Sequence, residues 1–315
     1  MKTDPCTILV TGAAGYIGSV LTPILLKNGH KVIAVDNFMY NQPSLLDVCH
    51  DDNLTIVRGD VRDQNLMKPL VAKADVIMPL ACLVGAPICA QKPVEARTIN
   101  LDAVKMLVDL SSKDQRIISP TTNSGYGIGE SGKMCTEESP LRPVSLYGKL
   151  KCELEEYLLA SGRAISLRLA TAFGVSPRMR LDLLVNDFTF RAVTDRFVVL
   201  FEAHFKRNYI HVRDISKAFM HMLANWDKTK NQAYNVGLSD ANLSKMELCL
   251  EIKKLVPDFA IMESPVGEDP DKRDYIVSNE KIEKTGFRPD WPIQRGIAEL
   301  VKGYKIVRRN QYSNV

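Results

Sequence analysis

The stretch Thr7-Ile-Leu-Val-Thr-Gly-Ala-Ala-Gly-Tyr-Ile-Gly-Ser-Val-Leu21 decides the fold of this chain. Its apolar start predicts a buried strand, and the helical spacing of the apolar residues after it predicts a helix. Three glycines follow one another at three-residue steps, an arrangement that allows a tight turn, the close approach of a pyrophosphate and close helix packing. The stretch therefore predicts a dinucleotide-binding turn whose helix N-terminus receives the phosphates. Its candidate cofactor-binding residues are Gly12, Gly15, Tyr16, Ile17 and Gly18.

The second predicted strand, Lys31-Val-Ile-Ala-Val35, ends in an acidic residue, Asp36. An acidic residue about 20 positions beyond the glycines binds a ribose 2′-hydroxyl in dinucleotide-binding domains. A carboxylate there repels a 2′-phosphate, and the following Asn37 and Phe38 offer no arginine to bind one. Asp36 and Asn37 are therefore candidate cofactor-binding residues, and the sequence favours NAD over NADP.

Two further strand ends predict contacts with the same cofactor. The third strand, from Leu54, ends at Asp60 and Val61, where a doubly wound sheet meets the adenine. Asp60 can accept a hydrogen bond from the adenine amine there, or it can cap the next helix. The fourth strand runs to Leu80, and small residues beginning with Ala81 follow it, which suits a backbone that lies against a ligand.

The composition is that of an ordinary soluble protein, with 315 residues, 45% hydrophobic content and a net charge of +4. The basic cluster Lys305, Arg308 and Arg309 resembles a solvated tail and argues against a nucleic-acid partner. No apolar run has membrane-spanning length, and no signal peptide precedes the first strand. The seven cysteines show no Cys-x-x-Cys spacing, and the five histidines show no ligand spacing. We therefore expect a cytoplasmic protein with free thiols, no membrane association and no metal site.

The alternation of strands and helices predicts a parallel sheet covered on both faces, the doubly wound Rossmann arrangement of the α/β class. The alternation loosens after about residue 172. We assign residues 1–172 and 206–238 to an NAD-binding domain, and residues 173–205 and 239–315 to a smaller substrate-binding lobe. One long amphipathic helix, from about residue 95 to residue 111, is expected before the fifth strand, which starts at Arg116.

The candidate chemistry lies on the helix after the fifth strand. Tyr147 and Lys151 are four residues apart and therefore point from the same face of this helix. Near a cationic nicotinamide, the lysine ammonium would lower the tyrosine pKa from about 10 toward neutrality. Tyr147 is thus a candidate general base for alcohol oxidation or acid for ketone reduction, and Tyr147 and Lys151 also count among the candidate cofactor-binding residues. Thr122, where the fifth strand ends, can hold the same substrate oxygen.

These motifs together resemble the extended short-chain dehydrogenase/reductase family, and the likeness covers nearly the whole chain. The resemblance implies a Rossmann domain with a small C-terminal lobe, bound NAD(H) or NADP(H), and a nucleotide-sugar substrate. It also implies a homodimer formed through the helix around residues 95–111 and the helix that bears Tyr147.

The loop after the fifth strand separates the activities of this family. Its 4,6-dehydratases carry Thr-Asp-Glu there, whereas this chain has Thr122-Asn123-Ser124, which cannot supply the two carboxyl groups. Dehydration is therefore disfavoured. Oxidation of a sugar C4 hydroxyl, its reversal by a 4-ketoreductase, and 4-epimerisation stay open. We count Asn123 and Ser124 as substrate-binding residues.

The resemblance also implies further substrate-binding residues. Arg178 and Arg180 fall in the strand and loop that face nicotinamide and sugar, and Asn186 matches an asparagine on the substrate phosphate. Arg207 and Arg273 match positions that clamp the diphosphate, a role that suits the planar fork of arginine. A surface ion pair is the alternative for each arginine.

A narrower likeness concerns the segments 123–130, 134–143 and 176–188. They resemble the GDP-D-glycero-α-D-manno-heptose C4 dehydrogenases of capsular polysaccharide assembly. The resemblance implies a GDP-sugar substrate, and bound NADH that is reoxidised by a keto acid such as 2-oxoglutarate. A non-catalytic dinucleotide sensor is the alternative outside enzymes, but such proteins typically lack the Tyr/Lys pair.

Overall fold

The computed structural model describes residues 4–130, 132–265 and 273–307. Arg308 and Arg309 of the predicted basic tail lie outside the described residues. The strands are β1 Thr7–Thr11, β2 Lys31–Asp36, β3 Leu54–Arg58, β4 Val76–Pro79, β5 Arg116–Thr122, β6 Met134–Cys135, β7 Ala164–Leu169, β8 Thr171–Phe173, β9 Phe197–Leu200, β10 Lys206–His211, β11 Gln232–Val236, β12 Asn242–Ser244, β13 Ala260–Glu263 and β14 Ile276–Val277. The helices are α1 Gly18–Lys27, α2 Gln64–Val71, α3 Ala86–Gln91, α4 Pro93–Arg97, α5 Ala103–Leu110, α6 Leu146–Ala160, α7 Leu184–Thr194, α8 Val212–Ala224, α9 Trp226–Thr229, α10 Lys245–Leu255, α11 Glu280–Lys284 and α12 Ile293–Gly303.

A seven-stranded sheet forms the centre of the molecule, in the order β3-β2-β1-β4-β5-β7-β11. Its strands pair in parallel throughout. The order reverses between β1 and β4, and ligands of doubly wound sheets bind in the crevice at such a point. The predicted Rossmann-type α/β fold is confirmed.

Both faces of this sheet are buried, because neighbouring residues of a strand point to opposite sides. On β1, Ile8 and Val10 face one core with α1 and α8, whereas Leu9 faces a second core with α2, α5 and α6. All three residues are 0% exposed. This double burial explains why the strand is a continuous apolar run in the sequence.

The remaining strands build the smaller lobe. Strands β8, β10 and β12 form a three-stranded sheet, and β9 pairs with β13. Helices α7, α10 and α12 pack on one another beside them. Strand β10 lies in this small sheet, although its residues 206–211 fall in a segment that the sequence assigns to the NAD-binding domain. Helix α8 and strand β11 of the same segment do lie against the central sheet.

The prediction of one continuous helix around residues 95–111 is wrong. Helices α4 and α5 are separated by a wider turn of π type at Thr98–Asp102. This turn places the buried Asn100 side chain against the loop after β4, where its carboxamide bonds both the N–H and the C=O of Leu83 at 2.8 Å. Turns of this kind interrupt helices at functional sites.

Helices α5 and α6 pack side by side, and Lys105 Nζ donates to Glu153 Oε1 at 2.8 Å across them. The homodimer that the resemblance implies would use these two helices, and it stays a prediction. The seven cysteines are all unpaired. Within the described ranges, every helix falls short of the length or the apolar character that crossing a membrane requires.

Candidate active site

A cleft opens at the carboxyl edge of the central sheet, at the reversal between β1 and β4. It is bounded by the glycine-rich turn, the loops after β2, β3 and β4, and a segment of the smaller lobe. Its lining includes Gly12, Gly15, Tyr16, Asp36, Asn37, Asp60, Val61, Leu80, Ala81, Cys82, Arg178 and Arg180. Most of the predicted cofactor-binding residues thus meet in a single cleft.

The glycine-rich turn has the geometry that its sequence predicts. Gly12 has a positive φ of 67°, and a Cβ there would lie 2.6 Å from the backbone nitrogen of Ala81. A Cβ on Gly18 would lie 2.3 Å from the carbonyl oxygen of Gly12, so α1 packs directly on the turn. The N–H of Ser19 donates to the carbonyl oxygen of Gly15 at 2.9 Å, so a phosphate would be received by the N–H groups of the turn that precede Ser19. Ile17 packs against a small apolar cluster of Tyr16, Val20 and Val212 beside the turn.

Asp36 joins the turn to the end of β2. Its carboxylate accepts hydrogen bonds from the N–H of Ala14 at 3.0 Å and of Phe38 at 2.8 Å. Burial raises the pKa of this carboxyl, and the two N–H groups oppose the rise. Asp36 therefore stands at the edge of the cleft in the position that a ribose-binding carboxylate requires.

Asp60 lines the cleft at the end of β3 but does not cap the next helix. Asp63 is the N-cap residue of α2 and accepts from the N–H groups of Asn65 and Leu66. Asp60 is bonded instead by Arg62, whose Nε lies 2.9 Å from Oδ1. That guanidinium lowers the pKa of the Asp60 carboxyl. The capping interpretation is wrong, and the contact with adenine stays a prediction.

Tyr147 lies in the first turn of α6. Ser145 caps this helix by accepting from the N–H of Gly148 at 3.1 Å. A Cβ on Gly148 would lie 3.3 Å from the carbonyl oxygen of Ser124, so the start of α6 abuts the loop after β5. The fold therefore brings the start of α6, which carries Tyr147, against the loop that begins after Thr122.

The environment of Tyr147 differs from the prediction in one respect. Burial raises the pKa of its phenol, the Cys82 thiol adds to the rise, and the guanidinium groups of Arg180 and Arg273 oppose it. The side chains around Tyr147 do not produce the lowered pKa that the sequence predicts, because burial outweighs the positive charges. Lys151 is 4% exposed and donates to the carbonyl oxygen of Pro120 at 3.2 Å.

A chain of polar side chains leads away from Thr122. Its hydroxyl donates to Ser124 Oγ at 2.9 Å, and Arg273 Nη1 donates to the same oxygen. The neighbouring Asn123 is 1% exposed, and both polar atoms of its carboxamide have no hydrogen-bond partner within the described residues. A buried polar atom without a partner lowers the free energy of unfolding by about 1–3 kcal/mol. Such an atom calls for an explanation, for example contact with a ligand.

The arginines assigned to the substrate are divided between two places. Arg178 and Arg180 line the cleft beside the glycine-rich turn, and Arg180 Nε bonds Asp182 Oδ1 at 3.1 Å. Arg207 is 3% exposed on β10, and its guanidinium lies 5.8 Å from the ring of Tyr275. Arg273 lies beside Ser124, so it is not merely part of a surface ion pair.

Asn186 is fully enclosed by protein. Its side chain is 0% exposed, its oxygen accepts from the N–H of Gly174 at 3.0 Å, and its nitrogen donates to the carbonyl oxygen of Arg180 at 2.8 Å. These bonds fix the loop between β8 and α7, and the contact of Asn186 with a substrate phosphate stays a prediction.

Sequence reasoning missed three residues of this region. Cys82 interacts with the Lys151 ammonium and lies beside Tyr147, and only its place after β4 could have indicated it. Tyr40 lines the cleft, and the guanidinium of Arg178 lies 3.8 Å from the centre of its ring. Asn100 holds the loop after β4 by its hydrogen bonds to Leu83. Its position as a polar residue among the apolar residues of a predicted helix could have indicated this role.

Comparison with known proteins agrees with this geometry. The sequence profile of the NAD dependent epimerase/dehydratase family matches residues 8–237. The low-salt glycan biosynthesis protein Agl12 of Haloferax volcanii is 28% identical, with 94% of this chain and 98% of that protein covered. The UDP-glucose 4-epimerase of Corynebacterium glutamicum is 26% identical, with 93% of each chain covered.

A solved structure shows the same fold. The dTDP-glucose 4,6-dehydratase DesIV of Streptomyces venezuelae, determined with NAD bound, superimposes with a TM-score of 0.82 at 25% identity, covering 95% of this chain and 97% of that one. The glycine-rich turn, Asp36 and the first turn of α1 in this chain fit a dinucleotide. The chain therefore belongs to the NAD dependent epimerase/dehydratase family, whose members act on nucleotide sugars, and NAD is its cofactor.

Proposed function

We propose that this protein is a cytoplasmic oxidoreductase that uses NAD to oxidise the C4 hydroxyl of a nucleotide-linked sugar to the 4-keto sugar. The resemblance of the segments 123–130, 134–143 and 176–188 favours GDP-D-glycero-α-D-manno-heptose as the substrate. The same resemblance favours reoxidation of the bound NADH by 2-oxoglutarate.

The observation that carries the proposal is the set of groups around Tyr147. A phenol, a buried ammonium and a hydroxyl come from α6 and β5, while the loop positions beside them hold Asn123 and Ser124 instead of carboxylates. This set can remove a proton from one hydroxyl. It contains no acid–base pair that could eliminate water from neighbouring carbons.

The roles of the side chains follow from their chemistry. Tyr147, as phenolate, accepts the proton of the C4 hydroxyl, and Thr122 orients that oxygen through its own hydroxyl. The Lys151 ammonium favours the phenolate by its charge. Bound NAD, held at the glycine-rich turn and Asp36, would supply the acceptor for the hydride of C4. Ser124 and Arg273 form a polar wall beside this point and are positioned to bind the sugar or its diphosphate.

A nucleotide-sugar 4-epimerase is the second candidate, and the similarity to a UDP-glucose 4-epimerase favours it. It uses the same proton transfer twice, with the keto sugar presenting its other face in between. A 4-ketoreductase would run the oxidation in reverse. A non-catalytic dinucleotide sensor does not require the Tyr147 and Lys151 pair, and we do not favour it.

Product analysis tests the proposal. The purified protein is incubated with NAD, 2-oxoglutarate and GDP-D-glycero-α-D-manno-heptose, and the sugar is examined by NMR. We expect loss of the proton on C4 and a 4-keto product. A product with inverted C4 would establish the epimerase, and loss of water from C5 and C6 would contradict our interpretation of Asn123 and Ser124. UDP-glucose serves as the comparison substrate for the choice of nucleotide.

A further inference from the structure

The segment that follows β8 packs directly on the start of α1. Ser176 Oγ donates to the carbonyl oxygen of Tyr16 at 2.7 Å and lies 3.0 Å from Ser19 Oγ. The N–H of Arg178 lies 3.4 Å from the same Ser19 oxygen. One segment of the smaller lobe thus contacts α1, the helix whose N-terminus is expected to receive a dinucleotide's pyrophosphate.

Arg178 then reaches over the cleft. Its guanidinium lies 3.8 Å from the ring centre of Tyr40 in the loop after β2, and Nη1 donates to the carbonyl oxygen of Met179 at 2.8 Å. The residue is 2% exposed, although it carries a charge. Burial, joined by repulsion from Arg180, holds the pKa of Arg178 below its usual value, although the Tyr40 phenol and the carboxyl groups of Asp182 and Asp36 oppose this. The guanidinium groups of Arg178 and Arg180 both line the cleft.

The surroundings of Arg178 belong to the cofactor half of the cleft. Ser19 lies on α1, and Tyr40 follows Asp36, the predicted ribose-binding carboxylate. The substrate half, marked by Ser124 and Arg273, lies at the loop after β5. A diphosphate is present in both the dinucleotide and a nucleotide sugar, so the position of Arg178, rather than its chemistry, identifies its ligand.

We propose that Arg178 binds the diphosphate of the dinucleotide and forms, with Tyr40, a clasp across the cofactor cleft. Its role is therefore retention of the cofactor, in contrast to the sugar-nucleotide contact that the resemblance implies. Release of the dinucleotide requires the stacked pair to part, so Arg178 and Tyr40 set the dissociation rate. The proposal is independent of which reaction the enzyme performs at the sugar.

NADH binding tests the clasp without any turnover. The dissociation constant and dissociation rate of NADH are measured by its fluorescence for the wild type and for Arg178→Met, Tyr40→Ala and the matched control Arg273→Met. Charge-assisted hydrogen bonds to phosphate predict that Arg178→Met weakens NADH binding about 10- to 100-fold. Tyr40→Ala keeps the charge and should mainly speed dissociation. Arg273→Met should leave NADH binding unchanged.

The second arm measures binding of GDP and UDP by calorimetry. Unchanged affinity for both in Arg178→Met, together with weaker NADH binding, supports the clasp. Unchanged NADH binding with lost GDP or UDP binding would assign Arg178 to the substrate and overturn the proposal. If Arg178→Met does not fold, the same NADH measurements are made on Arg178→Lys and Tyr40→Ala. Wild-type NADH kinetics in both of these variants would equally overturn the proposal. Neither binding measurement depends on the proposed oxidation at C4.

Discussion

Helix α6 carries two polar clusters that are built in opposite ways. Farther along the helix, Glu155 is 4% exposed and accepts from Thr121 Oγ1 at 3.1 Å, Ser166 Oγ at 2.6 Å and Arg168 Nη2 at 2.6 Å. In the first turn, the Tyr147 hydroxyl has no hydrogen-bond partner within the described residues. The Glu155 network is saturated, whereas the first-turn cluster has bonding capacity to spare.

The difference separates support from reaction. A buried carboxylate with several partners fixes the elements that supply them, here α6, β5 and β7. Thr121, held by Glu155, is the neighbour of Thr122, so the Glu155 network positions the Thr122 hydroxyl beside the first-turn cluster. Groups that bind a ligand need hydrogen-bonding capacity that the protein itself does not use. Changes in the first-turn cluster should therefore alter activity, and changes in the Glu155 network should alter stability.

The largest effect is expected from Tyr147→Phe, which removes the proton acceptor. Loss of general-base catalysis predicts a kcat lower by about 10²- to 10⁴-fold, with NADH affinity unchanged. Tyr157→Phe, farther along the same helix, is the control and should keep wild-type turnover. Wild-type turnover in Tyr147→Phe would refute the assignment of the base.

In the Glu155 network, Arg168→Met should destabilise the fold by about 3–5 kcal/mol, because it leaves the buried Glu155 carboxylate without its cation. Urea unfolding measures this loss. The control Arg196→Met breaks a pair with Asp258 whose side chains are 56% and 83% exposed, and should cost about 0–1 kcal/mol. A comparable small loss in both variants would show that the network does not support the site.

The pH profile should respond to Lys151→Met. Tyr147 acts as base only when it is deprotonated, and its pKa is raised by burial. The proposed role of Lys151 is to favour the phenolate, so its removal should raise that pKa further and move the rising limb of kcat/KM to higher pH by about 1–2 units. Lys149→Met, which changes an exposed lysine of the same helix, should leave the profile in place. A shift to lower pH would contradict the proposed role of Lys151.

The smallest effect is expected from Ser124→Ala. This change removes the oxygen that links Thr122 to Arg273. Loss of a hydrogen bond of about 0.5–1.5 kcal/mol predicts a KM for the nucleotide sugar raised about 2- to 12-fold. Because these bonds are within the protein, the free energy of unfolding should fall by a similar amount, about 0.5–1.5 kcal/mol. A fall in kcat with unchanged KM would instead assign Ser124 to the reacting oxygen.

The same contrast shows what the sequence can predict. The glycine-rich turn, Asp36 and the helix face with Tyr147 and Lys151 follow from local spacing, because backbone geometry alone creates them. The clasp of Arg178 joins segments 138 residues apart along the chain, from Tyr40 to Arg178, and no local pattern encodes it. The π turn at Thr98–Asp102 has no local sequence signal, because it depends on the contact of Asn100 with the loop after β4. The raised pKa of Tyr147 depends on burial, which requires the full tertiary structure.

The central claim is that Tyr147 removes the proton from a sugar C4 hydroxyl as NAD is reduced. The most direct test is absorbance at about 340 nm, where NADH absorbs, after the sugar nucleotide GDP-D-glycero-α-D-manno-heptose is added to enzyme with NAD. Our account predicts a band with the wild type, its loss on addition of 2-oxoglutarate, and no band with Tyr147→Phe. An inverted C4 with no band, or an equal band in both proteins, would contradict it.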